Sequence, residues 1–386
     1  GAKRRRKRKF KINRKRLYAV MGVLAGVAAL ICAVAAIVSG ASRPVKLKEL
    51  PFSAAQKHVY TGEGFYYTDG ASLAYVNKAK LNKPVTRTIS TSDIDIAASP
   101  SFALLYNRSA LHVVSAADPI EISCAIETVK CGAQHFAALC EEADGTETLK
   151  VYNMRGDMVD ELMFRSGYLV DYGFEPRGGE TLWTLELNTS ATLPRMTITT
   201  SDRQRHATTG MISIQNMIAE NIVCSQKGLF VIGTSGIIRY DRATNTEKYR
   251  AMCYGRRLID SSTQCSKPLF IFAERGAPEK GGTVFLYSLA DDDVADTAIH
   301  ALQLPENALG AFAMKGRLVI VTPEGVTYYT ATGKKDGYRA FDAPVTGVER
   351  LDEKTLLIER AGMLYTMNAG RERRTPYEPY RFYYAW

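Results

Sequence analysis

The sequence predicts an all-β protein: a seven- or eight-bladed β-propeller preceded by one N-terminal transmembrane helix. Three observations predict this fold class, namely a basic run followed by 22 uncharged residues, short apolar runs paired around glycine turns, and the recurrence of those pairs along the chain. At 386 residues the length suits two domains, but an all-β ring of this size also forms one unit. The predicted segments are a basic cytoplasmic tail (1–16), a transmembrane helix (17–39), a linker (40–52), an extracytoplasmic propeller (53–374) and an aromatic C-terminal tail (375–386).

The net charge of +10 is concentrated in the N-terminal tail. Eleven of the 50 Lys and Arg residues lie within residues 1–16, so the rest of the chain carries 39 cations against 40 anions. A nucleic-acid-binding domain needs positive charge spread over a folded face, and this distribution therefore argues against a nucleic-acid partner. We expect the tail to contact anionic membrane lipids instead, through Lys3, Arg4, Arg5, Arg6, Lys7, Arg8, Lys9, Arg14, Lys15 and Arg16.

An uncharged segment, residues 17–38, follows the tail directly. As a helix its 22 residues would be roughly 33 Å long, enough to cross a hydrocarbon core of about 30 Å. A cleaved signal peptide is the alternative, since Ser39, Gly40 and Ala41 are small, but the apolar regions of signal peptides are shorter. Cations flank the N-terminal end, which predicts a cytoplasmic N-terminus in the cell membrane and an extracytoplasmic C-terminal domain.

Small residues recur at four-residue spacing within this segment. Such residues allow two membrane helices to approach closely, and Gly22 with Gly26 forms a GxxxG pattern. Gly22, Gly26, Ala29 and Ala33 are therefore candidate helix–helix contacts of a homodimer, although Gly and Ala are common in any membrane-spanning segment.

Paired apolar runs dominate the sequence from residue 52 onward. In residues 64–76 two aromatic or β-branched runs flank Asp69-Gly70, a strong signal for a β-hairpin. Each such unit is interpreted as an inner strand, a glycine-containing turn and a second strand. The same pattern recurs in residues 228–241, 268–289, 316–332 and 354–368.

The spacing of these units predicts how they assemble. The centres of the second strands fall near residues 74, 112, 151, 185, 239, 286, 328 and 365, at an average interval of about 42 residues. Four short strands in every 40–50 residues or so are typical of a propeller blade. A pair of β-sandwiches and a large open sheet are the alternatives, and the repeat spacing disfavours both.

Two of the repeats, GLFVIGTSGIIRYD and GRLVIVTPEGVTYY, together with the N-terminal anchor, carry a family resemblance. They resemble the membrane-anchored, PQQ-like or WD40-like propellers of bacterial envelopes and, more narrowly, an uncharacterised family of such proteins in Gram-positive bacteria. The resemblance covers roughly residues 50–370. The WD dipeptide and the tryptophan docking motif are absent, and the tryptophans are Trp183 and Trp386. The resemblance implies a fold and a compartment, and it carries over no catalytic residue.

No catalytic or metal-binding motif is recognisable in the sequence. The five histidines are isolated, and no HExxH, GxSxG, phosphate-loop or dinucleotide pattern occurs. Catalytic, cofactor-binding and metal-binding residues are therefore not assigned. A single sequence does not reveal two carboxylates that face each other across a propeller channel, so a carbohydrate-active enzyme stays open as an alternative.

Six cysteines lie outside the membrane segment: Cys124, Cys131, Cys140, Cys224, Cys253 and Cys265. An even number in an oxidising compartment permits three disulfides, with Cys131–Cys140 and Cys253–Cys265 as pairs that would span a hairpin. The alternative is that they are buried free thiols, which act as small apolar side chains. The sequence leaves both alternatives open.

The last seven residues contain five aromatic side chains and one arginine. Tyr, Trp and Arg are enriched at interface hot spots, and aromatic residues also settle at membrane surfaces. The candidate partner-contact residues are Tyr380, Arg381, Phe382, Tyr383, Tyr384 and Trp386. A strand that completes the first or last blade is the alternative role of this segment.

These features predict a non-enzymatic scaffold or protein-interaction module of the cell envelope, tethered to the membrane and bound to an unknown protein or cell-wall partner. The absence of a catalytic motif favours this function. A ligand-sensing or accessory subunit of a membrane complex is the first alternative, and an extracellular carbohydrate-active enzyme is the second.

Overall fold

The computed structural model describes residues 44–370, except 90–93, 115–119, 123, 166, 176–179, 191–194, 205–206, 226–227, 266, 278–280 and 290–297. The described residues form 32 β-strands in eight antiparallel sheets of four strands each. Among these residues there is no helix of the length and apolarity needed to cross a membrane. The predicted basic tail, transmembrane helix and aromatic tail all lie outside the described residues.

The first four sheets follow one another along the chain, and each is a meander of consecutive strands. Blade 1 comprises β2 (Lys57–Tyr60), β3 (Gly64–Thr68), β4 (Ser72–Asn77) and β5 (Val85–Thr88). Blade 2 comprises β6 (Asp95–Ala98), β7 (Ala103–Tyr106), β8 (Ala110–Val113) and β9 (Ile120–Glu121). Blade 3 comprises β10 (Ala125–Cys131), β11 (His135–Glu141), β12 (Glu147–Asn153) and β13 (Met158–Met163). Blade 4 comprises β14 (Tyr168–Phe174), β15 (Thr181–Asn188), β16 (Arg195–Asp202) and β17 (Ala207–Ile214).

The last four sheets repeat this plan, and only the eighth takes a strand from elsewhere in the chain. Blade 5 comprises β18 (Ala219–Cys224), β19 (Gly228–Gly233), β20 (Gly236–Asp241) and β21 (Glu247–Met252). Blade 6 comprises β22 (Arg256–Ser262), β23 (Leu269–Glu274), β24 (Thr283–Ser288) and β25 (Ala298–Gln303). Blade 7 comprises β26 (Gly310–Met314), β27 (Arg317–Thr322), β28 (Gly325–Tyr329) and β29 (Lys335–Ala340). Blade 8 comprises β30 (Gly347–Arg350), β31 (Thr355–Arg360), β32 (Met363–Asn368) and β1 (Lys48–Ser53).

The eight sheets close into a ring, which makes the fold an eight-bladed β-propeller. One buried apolar cluster lies between each blade and the next, including a cluster that joins blade 8 to blade 1. The first strands of neighbouring blades contact one another, as β22 contacts β26 and β26 contacts β30, so the first strand of each blade lies innermost. The prediction of seven or eight blades is therefore confirmed at eight.

The second strand of a blade is buried on both of its faces. In β23, Phe270 and Phe272 pack towards blade 5, whereas Leu269 and Ile271 pack towards blade 7. Successive side chains of a strand point to opposite faces of its sheet, so a blade between two neighbours needs apolar residues at every position. This explains why the sequence shows continuous apolar runs here rather than alternation.

The five hairpins predicted from the glycine turns are confirmed as β3–β4, β19–β20, β23–β24, β27–β28 and β31–β32. The prediction was wrong in one respect, because the first strand of each pair is the second strand of its blade and not the innermost one. Seven of the eight predicted centres fall in third strands, and residue 185 falls in β15, a second strand.

The ring closes through β1, which begins inside the segment predicted as a linker. Lys48 lies opposite Thr366 of β32, and β1 supplies the fourth strand of blade 8. Leu50 and Phe52 of β1 are buried against blade 1, so burial of these two side chains makes the segment a strand. The linker prediction 40–52 was therefore wrong from residue 48 onward. The first and last blades are both complete without residues 375–386.

Two kinds of connection lie on one face of the ring, which we call the connection face. They are the turns between second and third strands and the links from one blade to the next. Backbone hydrogen bonds join the two kinds: Thr234 donates to the carbonyl of Ile218 (2.9 Å), and Cys253 donates to the carbonyl of Ser235 (3.2 Å). The other turns lie on the opposite face, because antiparallel strands reverse direction at each turn.

All six described cysteines are free thiols. Cys131 lies opposite Phe136, and Cys140 lies opposite Ile126, so strand register separates the two residues of the proposed hairpin disulfide. Burial raises the pKa of Cys253 to about 11, as expected of a thiol that acts as a small apolar side chain. Of the two alternatives that the sequence left open, the structure shows the free thiols.

Candidate functional site

Arg350, the last residue of the innermost strand β30, joins two blades that are not neighbours. Its guanidinium forms an ion pair with Asp260 of β22 and donates to the carbonyl of Ser261 at 2.5 Å. Asp260 also accepts a hydrogen bond from the backbone amide of Ala313 in β26 at 2.9 Å. One carboxylate therefore binds blade 7 and blade 8 to blade 6. Burial raises the pKa of Asp260, and the nearby Arg350 opposes this shift.

Glu353, in the turn after β30, makes a second bridge between the same three blades. Its carboxylate accepts hydrogen bonds from Ser262 Oγ at 2.6 Å, from Thr263 N at 3.1 Å and from Lys315 N at 3.1 Å. It also lies 3.3 Å from the Arg350 guanidinium. Asp260 and Glu353 thus share a cation and several donors, and we name these three charged residues the channel bridge.

A cleft between blades 6 and 7 borders the channel bridge, and its volume is about 410 Å³. Its walls are mainly apolar, and its charged side chains are Arg257, Asp260 and Arg350. The register of β22 shifts between Leu258 and Asp260, so Ile259 forms a β-bulge and is 36% exposed. Its apolar side chains include Ile259, Leu309, Phe312 and Val348. We name this space the blade 6–7 cleft.

A larger cavity, about 1010 Å³, lies elsewhere among the described residues, at the connection face of blades 3 and 4. Carboxylates border it, and Lys150 within it is bound by Glu142 at 2.9 Å. We favour the smaller blade 6–7 cleft as a ligand site because apolar walls with a few convergent polar groups characterise such sites.

Exposed apolar side chains follow one another around part of the connection face. They occur in the links from blade 3 to blade 4, from blade 4 to blade 5 and from blade 5 to blade 6, or at their ends. We call them the apolar row: Met163 (51% exposed), Tyr168 (61%), Ile218 (51%), Met252 (64%) and Tyr254 (79%). A recurrence of this kind on one face marks a candidate interaction surface.

The site residues predicted from the sequence all lie outside the described residues. These are the membrane-surface cations between Lys3 and Arg16, the helix–helix residues Gly22, Gly26, Ala29 and Ala33, and the partner-contact residues between Tyr380 and Trp386. Among the described residues no group of three or more His, Cys, Asp or Glu side chains is arranged to hold a metal ion.

Sequence reasoning missed the channel bridge, although one signal for it was present. The innermost strands of blades 2, 4 and 6 each contain an aspartate, namely Asp95, Asp171 and Asp260. A charge that recurs at the innermost strand can pair with a charge on another blade. The structure supplies one in each case: Lys57–Asp95 (2.8 Å), Lys130–Asp171 (2.6 Å) and Arg350–Asp260.

Solved structures similar to this chain define its class as a β-propeller of WD40-like or PQQ-like architecture. BamB from Moraxella catarrhalis matches with a TM-score of 0.50 and 8% identity, over 84% of this chain and 100% of that chain. The WD40 domain of SCAP from fission yeast matches with a TM-score of 0.57 and 8% identity, over 84% of this chain and 94% of that chain. The C-terminal WD40 domain of Sif2 matches with a TM-score of 0.51 and 8% identity, over 84% of this chain and 97% of that chain. At such identities the likeness concerns the fold alone.

No protein-family model matches the sequence, and no curated protein is similar to it at a significant level. The propeller fold is consistent with a protein-interaction scaffold, because a closed ring displays many loops from a rigid frame.

Proposed function

We propose that this protein is a non-enzymatic scaffold of the cell envelope, tethered to the membrane by residues 17–39, with its propeller on the extracytoplasmic side. The observation that carries the proposal is the apolar row on the connection face. The closed ring holds these side chains in fixed positions, so a protein partner can bind them without first ordering a loop. Aromatic residues and Met are also enriched at protein interfaces.

The position of Pro44 supports a membrane-proximal connection face. Arg339, near the end of β29, donates to the carbonyl of Pro44, and Val45 donates to the carbonyl of Ala340 at 2.9 Å. The chain therefore enters the ring beside the connection face of blade 7. Residues 40–43 can span at most about 14 Å, which would hold this part of the propeller close to the bilayer if residues 17–39 cross it.

The other end of the described chain leaves from the opposite face. Gly370 follows β32, and Lys315 Nζ of the turn between β26 and β27 lies 3.1 Å from the position that a Cβ on Gly370 would occupy. The described part of the chain therefore ends on the side away from the apolar row.

Photo-crosslinking in native membranes tests the scaffold function. A photoreactive amino acid replaces Tyr254 in the full chain, and a control chain carries it at Met158, which is 55% exposed at the start of β13. We expect one discrete membrane or wall-assembly protein to be crosslinked from position 254 and not from position 158. Equal crosslinking from both positions, or none from either, would contradict the proposal.

The tether has its own measurement. A chain that lacks residues 1–39 should leave the membrane fraction at alkaline pH, whereas the full chain should remain in it. Protease added to intact cells stripped of their wall should digest the propeller of the full chain. A full chain that alkaline washing releases would contradict the tether.

A truncation of residues 375–386 under the same crosslinking reveals whether the tail contributes to partner binding.

The blade 6–7 cleft favours a second candidate function, that of a ligand-sensing or accessory subunit of a membrane complex. Its volume and apolar walls suit a small organic molecule. The channel bridge gives less support to a carbohydrate-active enzyme. Asp260 and Glu353 bind one arginine and several protein donors, which supports a structural role for both carboxylates.

A further inference from the structure

The blade 6–7 cleft has mainly apolar walls, and the charged side chains at its border are already bound to other groups of the protein. We propose that the cleft binds a neutral, apolar small molecule whose body lies against Ile259, Phe312 and Val348. This inference rests on the ligand-sensing function proposed above, because it names the chemical class of that ligand. It is independent of the scaffold function.

The contacts of the charged side chains favour a neutral ligand. Asp260 binds the Arg350 guanidinium and accepts a hydrogen bond from the backbone amide of Ala313 at 2.9 Å. Arg350 also lies 3.3 Å from Glu353, which accepts hydrogen bonds from three further donors. Arg257 has a partner within the protein as well. A charged ligand would lose hydration in the cleft and would have to displace one of these contacts to gain a counter-charge, whereas a neutral ligand incurs no such cost.

The packing of the blades holds the apolar walls of the cleft in place. On the blade 7 side, Phe312 packs over the backbone of Gly310, where a Cβ would lie 2.5 Å from Phe312 Cζ and 3.2 Å from Val348 Cγ1. On the blade 6 side, Val284 is 1% exposed and belongs to the cluster between blades 6 and 7. A ligand therefore meets a surface that is already formed, and its binding requires little ordering of side chains.

The size of the cleft and the exposure of Ile259 suit a small apolar body. The volume of about 410 Å³ falls within the range of roughly 300–1,000 Å³ that small-molecule sites occupy. Ile259 is 36% exposed because the β-bulge removes it from the regular strand pairing. An apolar ligand would cover this side chain and remove its surface from water, which stabilises the complex.

The way into the cleft lies at the connection face. Leu309 belongs to the link between blades 6 and 7, and Gly282 belongs to the turn between β23 and β24. Both connections are of the kinds that define this face. The ligand therefore enters on the face that carries the apolar row.

Three probes that share one ring system and differ in charge test the proposal: 1-naphthylmethanol (neutral), 1-naphthoate (anionic) and 1-naphthylmethylammonium (cationic). Equilibrium dialysis measures the binding of each probe to the full chain in lipid nanodiscs, and the uptake by empty nanodiscs is subtracted. We expect 1-naphthylmethanol to bind, and both ions to bind at least about tenfold more weakly, because each would bring an uncompensated charge into the cleft.

Different outcomes overturn the neutral ligand and the ligand-sensing function. Binding of either ion as tight as that of 1-naphthylmethanol would overturn the neutral ligand and leave the ligand-sensing function standing. Binding of none of the three probes would overturn both.

Matched variants locate the site. Ile259→Asn replaces apolar surface of the cleft by a polar amide and should weaken 1-naphthylmethanol binding about tenfold. Ile299→Asn, at a side chain that is 47% exposed on β25 of the same blade, should leave it unchanged. If Ile259→Asn fails to fold, Val348→Thr replaces it, because Thr keeps the volume of Val and adds a hydroxyl, and Val85→Thr, at a side chain that is 65% exposed, is its control. Equal binding by the parent chain and by the cleft variant would refute the site.

Discussion

Arg350 links the innermost parts of blades 6, 7 and 8 through its contacts with Asp260 and Glu353. Its guanidinium is 19% exposed and Asp260 is 18% exposed, so the two charges stabilise each other away from bulk water. Glu353 adds a second carboxylate on the same cation at 3.3 Å. Removal of the shared cation leaves two carboxylates that keep their hydrogen bonds but lose their counter-charge at a site largely shielded from water, which is more destabilising than the loss of an exposed ion pair.

Arg350→Met should therefore lower the free energy of unfolding by about 3–5 kcal/mol, because Met fills similar space but leaves Asp260 and Glu353 without the Arg350 cation. Chemical denaturation of the full chain measures this change. Arg195→Met is the control, since an exposed arginine should change the free energy by no more than about 0.5 kcal/mol. A loss for Arg350→Met as small as that of the control would show that the ion pair contributes little.

Asp352 illustrates how local hydrogen bonds make stability depend on pH. Burial alone would raise its pKa, but backbone amides of Lys354 and Thr355, both at 2.7 Å, and the Tyr60 hydroxyl at 2.8 Å lower the pKa below its ordinary value. The unfolded chain therefore binds a proton at Asp352 more tightly than the folded chain does. The stabilisation is present above the ordinary pKa of 3.8 and is lost as the pH falls through the lowered value.

Asp352→Asn should remove this acid-sensitive contribution. We expect Asp352→Asn to have a lower Tm than the parent at neutral pH, and the difference to narrow as the pH falls from about 5 to about 3. Thermal unfolding across this pH range measures the effect, with Asp342→Asn as an exposed control. A difference that stays constant with pH would exclude a proton-linked role for Asp352.

At the scale of the element, the second strands determine how blades pack. β23 presents aromatic side chains to blade 5 and aliphatic side chains to blade 7, and residues Leu269 to Phe272 are fully buried. Phe272 packs edge-on against Tyr287 of the neighbouring strand at a centroid distance of 4.9 Å. A strand at the surface of a two-layer fold would instead have one face exposed to solvent, where substitutions are tolerated.

Phe272→Ala and Ile271→Ala should both be strongly destabilising, although the two side chains point in opposite directions. We expect the free energy of unfolding to fall by about 3–5 kcal/mol for Phe272→Ala and by about 2–5 kcal/mol for Ile271→Ala, because each substitution removes buried apolar surface and leaves a cavity. Denaturant unfolding measures both, and Val85→Ala, at a side chain that is 65% exposed, is the control. A near-neutral effect of either core substitution would contradict burial on both faces.

At the scale of the whole molecule, stability depends on closure of the ring. The only strand of blade 8 that comes from the other end of the described chain is β1, and Phe52 of β1 stacks on Tyr67 of blade 1 at 4.5 Å. The Tyr60–Asp352 hydrogen bond joins the same two blades near the channel. Because β1 completes blade 8 and blade 8 packs against blade 1, the ring has no gap between its last and first blades.

Phe52→Ala should weaken closure of the ring and lower the free energy of unfolding by about 3–5 kcal/mol. Amide hydrogen exchange should then be faster in blades 8 and 1 than in blades 4 and 5. Hydrogen exchange followed by mass spectrometry localises the effect, and Val85→Ala is again the matched control. Uniform acceleration in all eight blades would show that the ring unfolds only as one unit and that closure has no local role.

Much of the fold could be predicted from the sequence, because its main signal is local. Asp69-Gly70 and the related glycine turns predicted the hairpins, and the repeat interval predicted a propeller of seven or eight blades. The role of β1 could not be predicted in this way. Leu50 and Phe52 lie at the end of the predicted linker, and nothing in their local pattern indicates a partner strand more than 300 residues away.

The sequence by itself determined the strands and their turns, since apolar runs, β-branched residues and glycine positions act within a few residues of one another. It also determined where charge is concentrated, in residues 1–16. Only the tertiary structure decided the number of blades, the closing strand, the free state of the six described cysteines, the channel bridge and the blade 6–7 cleft. The physical reason is that Asp260 of blade 6 and Arg350 of blade 8 come together through the curvature of the ring, and no local pattern encodes that curvature.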